Sequence, residues 1–150
     1  MTGDIEVRAA VEEIPVPDYP TTPFTTPPPL ADATVAIVTT AGLRLPEQDG
    51  FGSLDQSFRV LPADRTDLVL SHFSPNWDRT GLVADLELVL PVARLRELEG
   101  RRVIGKVSDV NIAFMGAQDE TMGTIRVDTG PAAAKMLRDA GVDVVLLTPV

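Results

Sequence analysis

The chain has 150 residues, 44% of them apolar and 23% charged, with a formal net charge of −9. That length builds one domain with a real core and is too short for two. The acidic surplus repels phosphate backbones and anionic lipid, so neither nucleic acid nor membrane is an expected partner, and no apolar run approaches the length of a bilayer span.

Residues 1–10 carry Asp4, Glu6 and Arg8 and lack the apolar stretch of a secretory signal, which makes the cytoplasm the expected compartment. Between Pro15 and Pro29 the chain holds seven prolines, interleaved with Ile14, Val16, Tyr19 and Phe24. Proline fixes φ and has no N–H to donate, so this stretch cannot join a helix or a central strand. Residues 1–32 therefore read as a proline-rich extended arm. Its apolar side chains need cover, from this domain or from a partner subunit.

Residues 33–150 read as an α/β domain and as the N-terminal part of a longer one. The β-branched run at 34–40 suits a strand buried on both faces. Further strands are expected at 57–61, 67–71 and 86–90. Pro91 then opens a helix with Val92, Leu95 and Leu98 at helical spacing and Gly100 as its stop. Residues 103–107 and 111–114 are short and ambiguous. Pro131 opens a second helix, with Ala133, Ala134, Leu137 and Ala140 inward and Gly141 as the stop. Residues 142–147 form the last strand. Strands alternating with helices predict a mostly parallel open sheet with flanking helices. In such sheets, sites gather at the carboxyl ends of the strands.

Several chemistries are excluded. The chain has no cysteine and one histidine, His72, so disulfides, zinc thiolate sites, a thiol nucleophile and a His-built metal cage are all absent. No carboxylate spacing marks a hard-cation site. Neither GxxxxGK[ST] nor GxGxxG occurs, and residues 116–123 (GAQDETMG) lack the glycines and lysine of a phosphate loop. No serine sits in GxSxG, which argues against a Ser-His-Asp hydrolase. No cofactor is expected within this chain.

Several segments, in order, carry a resemblance: residues 35–42 (VAIVTTAG), 57–62 (SFRVLP), 67–72 (DLVLSH), 90–105 (LPVARLRELEGRRVIG), 113–116 (AFMG), then Gly130-Pro131 and 141–150 (GVDVVLLTPV). Together they resemble the selenoprotein B family of glycine, sarcosine, betaine and D-proline reductases, over nearly the whole chain. In that family the last strand leads into a selenocysteine, or a cysteine in some members, with another cysteine shortly after. The resemblance thus implies a selenolate or thiolate just beyond Val150. Selenocysteine is encoded by UGA, ordinarily a stop, so a truncated translation is expected. The plain alternative is a terminal edge strand. The chain departs from the family at Asp85-Leu86-Glu87, at Ile112-Ala113 and in the turn after Met115, which leaves the substrate open.

The resemblance implies an oxidoreductase subunit that is inactive as this chain stands. Its partners would be a pyruvoyl-containing subunit, a small amino acid or amine substrate, and a dithiol or thioredoxin-type donor. No residue of the chain is expected to be catalytic. Substrate-binding candidates are Thr39 and Thr40 at the end of the first strand, His72, Asp78 in the polar loop 75–81, and Thr148 beside the expected nucleophile. Each has a plainer reading. Strand propensity explains the threonines, local backbone bonding explains His72, and turn chemistry explains Asp78. Phe114-Met115-Gly116 reads as core packing and a tight turn. The rival function is a non-catalytic binding or assembly module of the same fold.

Overall fold

A computed structural model describes residues 2–13, 25–72, 74, 79–119 and 121–150. Seven strands are described: β1 (Thr34–Thr39), β2 (Leu43–Arg44), β3 (Arg59–Pro62), β4 (Val69–Leu70), β5 (Lys106–Val107), β6 (Val110–Ala113) and β7 (Val144–Thr148). The α-helices are α1 (Thr2–Glu12), α2 (Thr80–Ala84), α3 (Val92–Gly100) and α4 (Gly130–Asp139). The fold is mixed α/β, with a mostly parallel sheet and flanking helices, as the sequence predicts.

β1 is the central strand. It pairs in parallel with β7 on one side and with β5 and β6 on the other, while β3 joins the far side of β6 antiparallel. β5 and β6 share one flank of β1. Thr34 stands opposite Lys106, yet Val38 stands opposite Ile112, so the neighbouring chain carries extra residues at Ser108 and Asp109. A bulge of this kind breaks the ladder and leaves a backbone group without its rung. The side chain of Asn111, fully buried, fills the gap: its Oδ1 accepts from the Ile37 N–H at 2.8 Å.

Alternation along β1 sends side chains to two cores. Val35 and Ile37 pack with Leu61, Val89, Leu90 and Leu95 on the α3 side. Ala36 packs with Ile112, Phe114, Ala133 and Leu137 on the α4 side. β2 and β4 form a separate antiparallel pair.

Both predicted helices form, with different ends. α3 runs through Gly100, and Arg102 takes the left-handed role at φ 58°. The N–H of Val103 then reaches back to the Leu98 carbonyl at 2.9 Å, closing the helix without glycine. At α4, Pro131 cannot donate to a preceding turn. The chain accommodates it with a wide π-type turn, Ile125–Thr129, directly upstream. Gly141, at φ 76°, ends that helix as expected.

Three expectations are corrected. Residues 86–90 are not a strand: Leu86–Leu88 form a single 3₁₀ turn. Asp85 accepts from the N–H of Glu87, and the Glu87 carboxylate accepts from the N–H groups of Ala93 and Arg94. This local capping at the start of α3 outcompetes strand pairing. Residues 2–12 are helical rather than extended, since the prolines begin only at Pro15. Residues 25–29 have no regular structure, and the arm between them, residues 14–24, lies outside the described residues. Of the α4 face expected inward, Ala133 and Leu137 are buried while Ala134 and Ala140 are exposed.

The exposure of Ala134 has a cause. It lines an open apolar groove of about 400 Å³ with Val38, Phe114, Leu137, Val145 and Leu147. β7 is paired only with β1 among the described residues, and Leu147 is 68% exposed. No helix among the described residues is long and apolar enough to cross a membrane.

Candidate functional site

The carboxyl ends of β1 and β7 lie side by side because the two strands are parallel and in register, with Thr39 opposite Thr148. At this end the backbone of β1 turns away through Gly42, which sits at φ 62°. The last backbone rung runs from the Thr40 N–H to the Thr148 carbonyl at 3.3 Å. Beyond it the Thr40 hydroxyl takes over. It accepts from the Val150 N–H at 2.8 Å and faces the Val150 carbonyl oxygen as donor at 3.2 Å. One hydroxyl can do both.

His72 reaches the same place from β4. Gly42 makes this possible: a Cβ there would stand 2.9 Å from the His72 Cα. The Gly42 carbonyl accepts from the Ser71 N–H at 3.0 Å. Gly116 closes the group. A Cβ on it would lie 2.6 Å from the Val150 carbonyl oxygen, 3.1 Å from His72 Nε2 and 3.1 Å from the Thr40 carbonyl oxygen. Three pieces of chain far apart in sequence, at Thr40, His72 and Val150, therefore meet at one glycine, which leaves them the room.

The imidazole is polarised in a definite sense. The Ser74 N–H donates to His72 Nδ1 at 3.3 Å, so the neutral ring carries its proton on Nε2, the nitrogen nearest Gly116 and Val150. Burial pushes the His72 pKa down from its ordinary value, and the nearby Arg79 charge adds to this. Arg79 itself is engaged with the carbonyls of His72 and Ser74, each at 3.0 Å. Burial and the Arg79 charge both favour the uncharged form of the imidazole.

Of the residues singled out by sequence, Thr39, Thr40, Thr148 and His72 come together. Thr39 is fully buried; its hydroxyl accepts from the Ala41 N–H at 3.2 Å and donates to the Thr148 carbonyl at 3.3 Å. The Thr148 hydroxyl donates to the Val89 carbonyl at 2.7 Å, tying β7 to the segment before α3. Both hydroxyls are thus spent on the scaffold, whereas Thr40 bonds to the chain end itself. Asp78 and Trp77 lie outside the described residues. The sequence reading missed Gly116, although a glycine directly after an apolar strand is a signal of close backbone approach. Among the described residues, no three His, Asp or Glu side chains gather as metal ligands.

No protein-family model matches the chain, and no solved structure matches it. Two curated proteins are similar. D-proline reductase subunit gamma of Acetoanaerobium sticklandii is 35% identical over 134 residues, covering 82% of this chain and 54% of the relative. Glycine reductase complex component B subunit gamma of Carboxydothermus hydrogenoformans is 31% identical over 146 residues, covering 91% of this chain and 32% of the relative. The chain spans about half the length of the first and about a third of the second. Both relatives are gamma subunits of amino acid reductases, and their similarity to this chain supports that reductase family.

Proposed function

We propose that the chain is the front part of a gamma-type reductase subunit that cleaves a C–N bond reductively in a small amino acid or amine of the D-proline, glycine, sarcosine or betaine type. The observation that carries this reading is the 35% identity to a D-proline reductase subunit over 82% of the chain. In the proposal a selenolate or thiolate follows Val150 in the intact subunit. A chalcogenolate suits this work because it is both a strong nucleophile and a redox centre. It attacks the substrate carbon as the amine leaves with a proton. A dithiol or thioredoxin-type donor then supplies two electrons that break the carbon–chalcogen bond, so that the carbon leaves carrying a proton, the chalcogenolate returns and the dithiol becomes a disulfide. By resemblance, a pyruvoyl-containing partner subunit activates the substrate.

The convergence of Thr40, His72, Gly116 and Val150 supports the placement. It brings the end of β7 near the His72 imidazole at the carboxyl edge of a parallel sheet, where sites of such folds gather. His72, Thr39, Thr40, Asp78 and Thr148 remain the proposed substrate-binding set. Within it, His72 carries the main weight, because the hydroxyls of Thr39, Thr40 and Thr148 are each engaged by backbone groups.

A second reading, a non-catalytic assembly module, is favoured by the open groove beside β7 and its exposed Leu147. The two readings separate at the nucleotide sequence after the Val150 codon. A TGA in an open frame with a nearby cysteine codon favours the reductase. That frame is then expressed with cysteine at the TGA position and combined with the pyruvoyl-containing subunit. Dithiol-dependent C–N cleavage of any of the four substrate types is the expected result. A different stop codon, or no cleavage of any of them, removes the reductase reading.

A further inference from the structure

We propose that Thr40 and Gly116 form a latch that fixes the backbone at Val150 in the neighbourhood of His72 Nε2. Thr40 is the working half. β1 and β7 share a backbone ladder up to the Thr40–Thr148 rung, and then β1 departs. A strand end beyond its last rung frays. The Thr40 hydroxyl replaces the missing rung, holding both the N–H and the carbonyl oxygen of Val150, at 2.8 and 3.2 Å. A side chain thus extends the sheet past the point where its backbone can.

Gly116 is the permissive half. The Val150 carbonyl oxygen occupies the space that a side chain at 116 would need, 2.6 Å from an ideal Cβ. The contact is with a main-chain oxygen at the end of β7 rather than with a flexible side chain. Any larger residue pushes the end of β7 off the site. Both parts act on Val150, and His72 Nε2 lies close to the same point of Gly116, 3.1 Å from where its Cβ would stand. Thr40 and Gly116 are in this sense positioning residues. The role of the latch in chemistry rests on the reading that a chalcogen follows Val150, but its existence does not.

Two measurements separate these points. The first is amide hydrogen exchange of Val150 in the 150-residue chain, with Val38 as an internal control for the sheet. Wild type and Thr40→Ser should protect the Val150 amide, because both keep a hydroxyl. Thr40→Val and Gly116→Ala should each lose at least about tenfold of that protection while Val38 keeps its own. Equal Val150 exchange in wild type and Thr40→Val overturns the latch. So does parallel loss at Val38, which would mean a general loosening.

The second measurement uses the chain extended by one cysteine after Val150. That thiol is unique, since the chain has no other. Its alkylation rate is followed against pH. Donation from His72 Nε2 should place the midpoint below the ordinary thiol value of about 8.5, and Thr40→Val should return it there while Thr40→Ser does not. A thiol with the ordinary midpoint in every variant, beside Val150 protection that still follows Thr40, leaves the latch standing and removes the chalcogen reading.

Discussion

Asn111 supplies a missing rung of the sheet to Ile37. Its Oδ1 accepts the Ile37 N–H at 2.8 Å inside a fully buried stretch, and its Nδ2 points toward the Leu61 carbonyl at 3.5 Å. A polar side chain in the middle of an apolar core is tolerated only because the bulge at Ser108 and Asp109 would otherwise orphan that N–H. Replacing Asn111 by leucine should therefore destabilise the chain by about 1–3 kcal/mol, the cost of a buried unsatisfied donor. Urea unfolding of the variant beside wild type measures it. A loss below about half a kcal/mol would show that the backbone closes the bulge unaided.

His72 makes stability depend on pH. Its folded pKa is depressed, by burial first and by the Arg79 charge second. The unfolded chain therefore binds a proton more readily than the folded one, and stability rises with pH through this range. The contribution is complete above the unfolded value near 6.5 and is lost as pH falls through the folded pKa. Between pH 7.5 and pH 5.5, wild type should lose urea midpoint and His72→Gln should lose less. Equal losses in both would assign the slope to other groups.

Gly105 shows where a single methyl group does damage. A Cβ there would lie 2.6 Å from the Asp32 carbonyl carbon and 2.8 Å from its oxygen, just where the chain enters β1. The Gly105 N–H also bonds to the Ala33 carbonyl at 3.1 Å. Gly105→Ala should cost about 1–3 kcal/mol, because the obstacle is backbone and must move as a unit. Gly52→Ala, which meets open space, is the control and should stay within about 0.5 kcal/mol of wild type. Thermal or urea unfolding of both variants checks the contrast.

The groove beside β7 predicts a surface property. Leu147 is exposed at its rim, so Leu147→Lys removes apolar surface without opening the core. Unfolding of the 150-residue chain should change by no more than about 0.5 kcal/mol. Binding of an apolar fluorescent dye should fall markedly. A large stability loss instead would mean that Leu147 already packs on something within the chain.

The sequence by itself determined the local elements whose causes are local. The β-branched run at β1, the helix after Pro91 and the helix around Pro131 with its stop at Gly141 follow from propensity, capping and periodicity, and each is where those rules place it. It misread residues 86–90, because an apolar run of strand length is also compatible with the turn that Asp85 and Glu87 stabilise. Only the tertiary structure decided what meets what. No pattern within residues 113–116 announces that Gly116 must leave space for Val150, or that the single histidine comes to the same point from another strand pair. Nor does composition distinguish Thr39, whose hydroxyl the scaffold consumes, from Thr40 beside it, whose hydroxyl grips the end of β7. The physical reason is the parallel sheet. Parallel pairing joins segments distant in sequence and brings the same ends of its strands together, so the site consists of long-range contacts that short-range patterning does not encode.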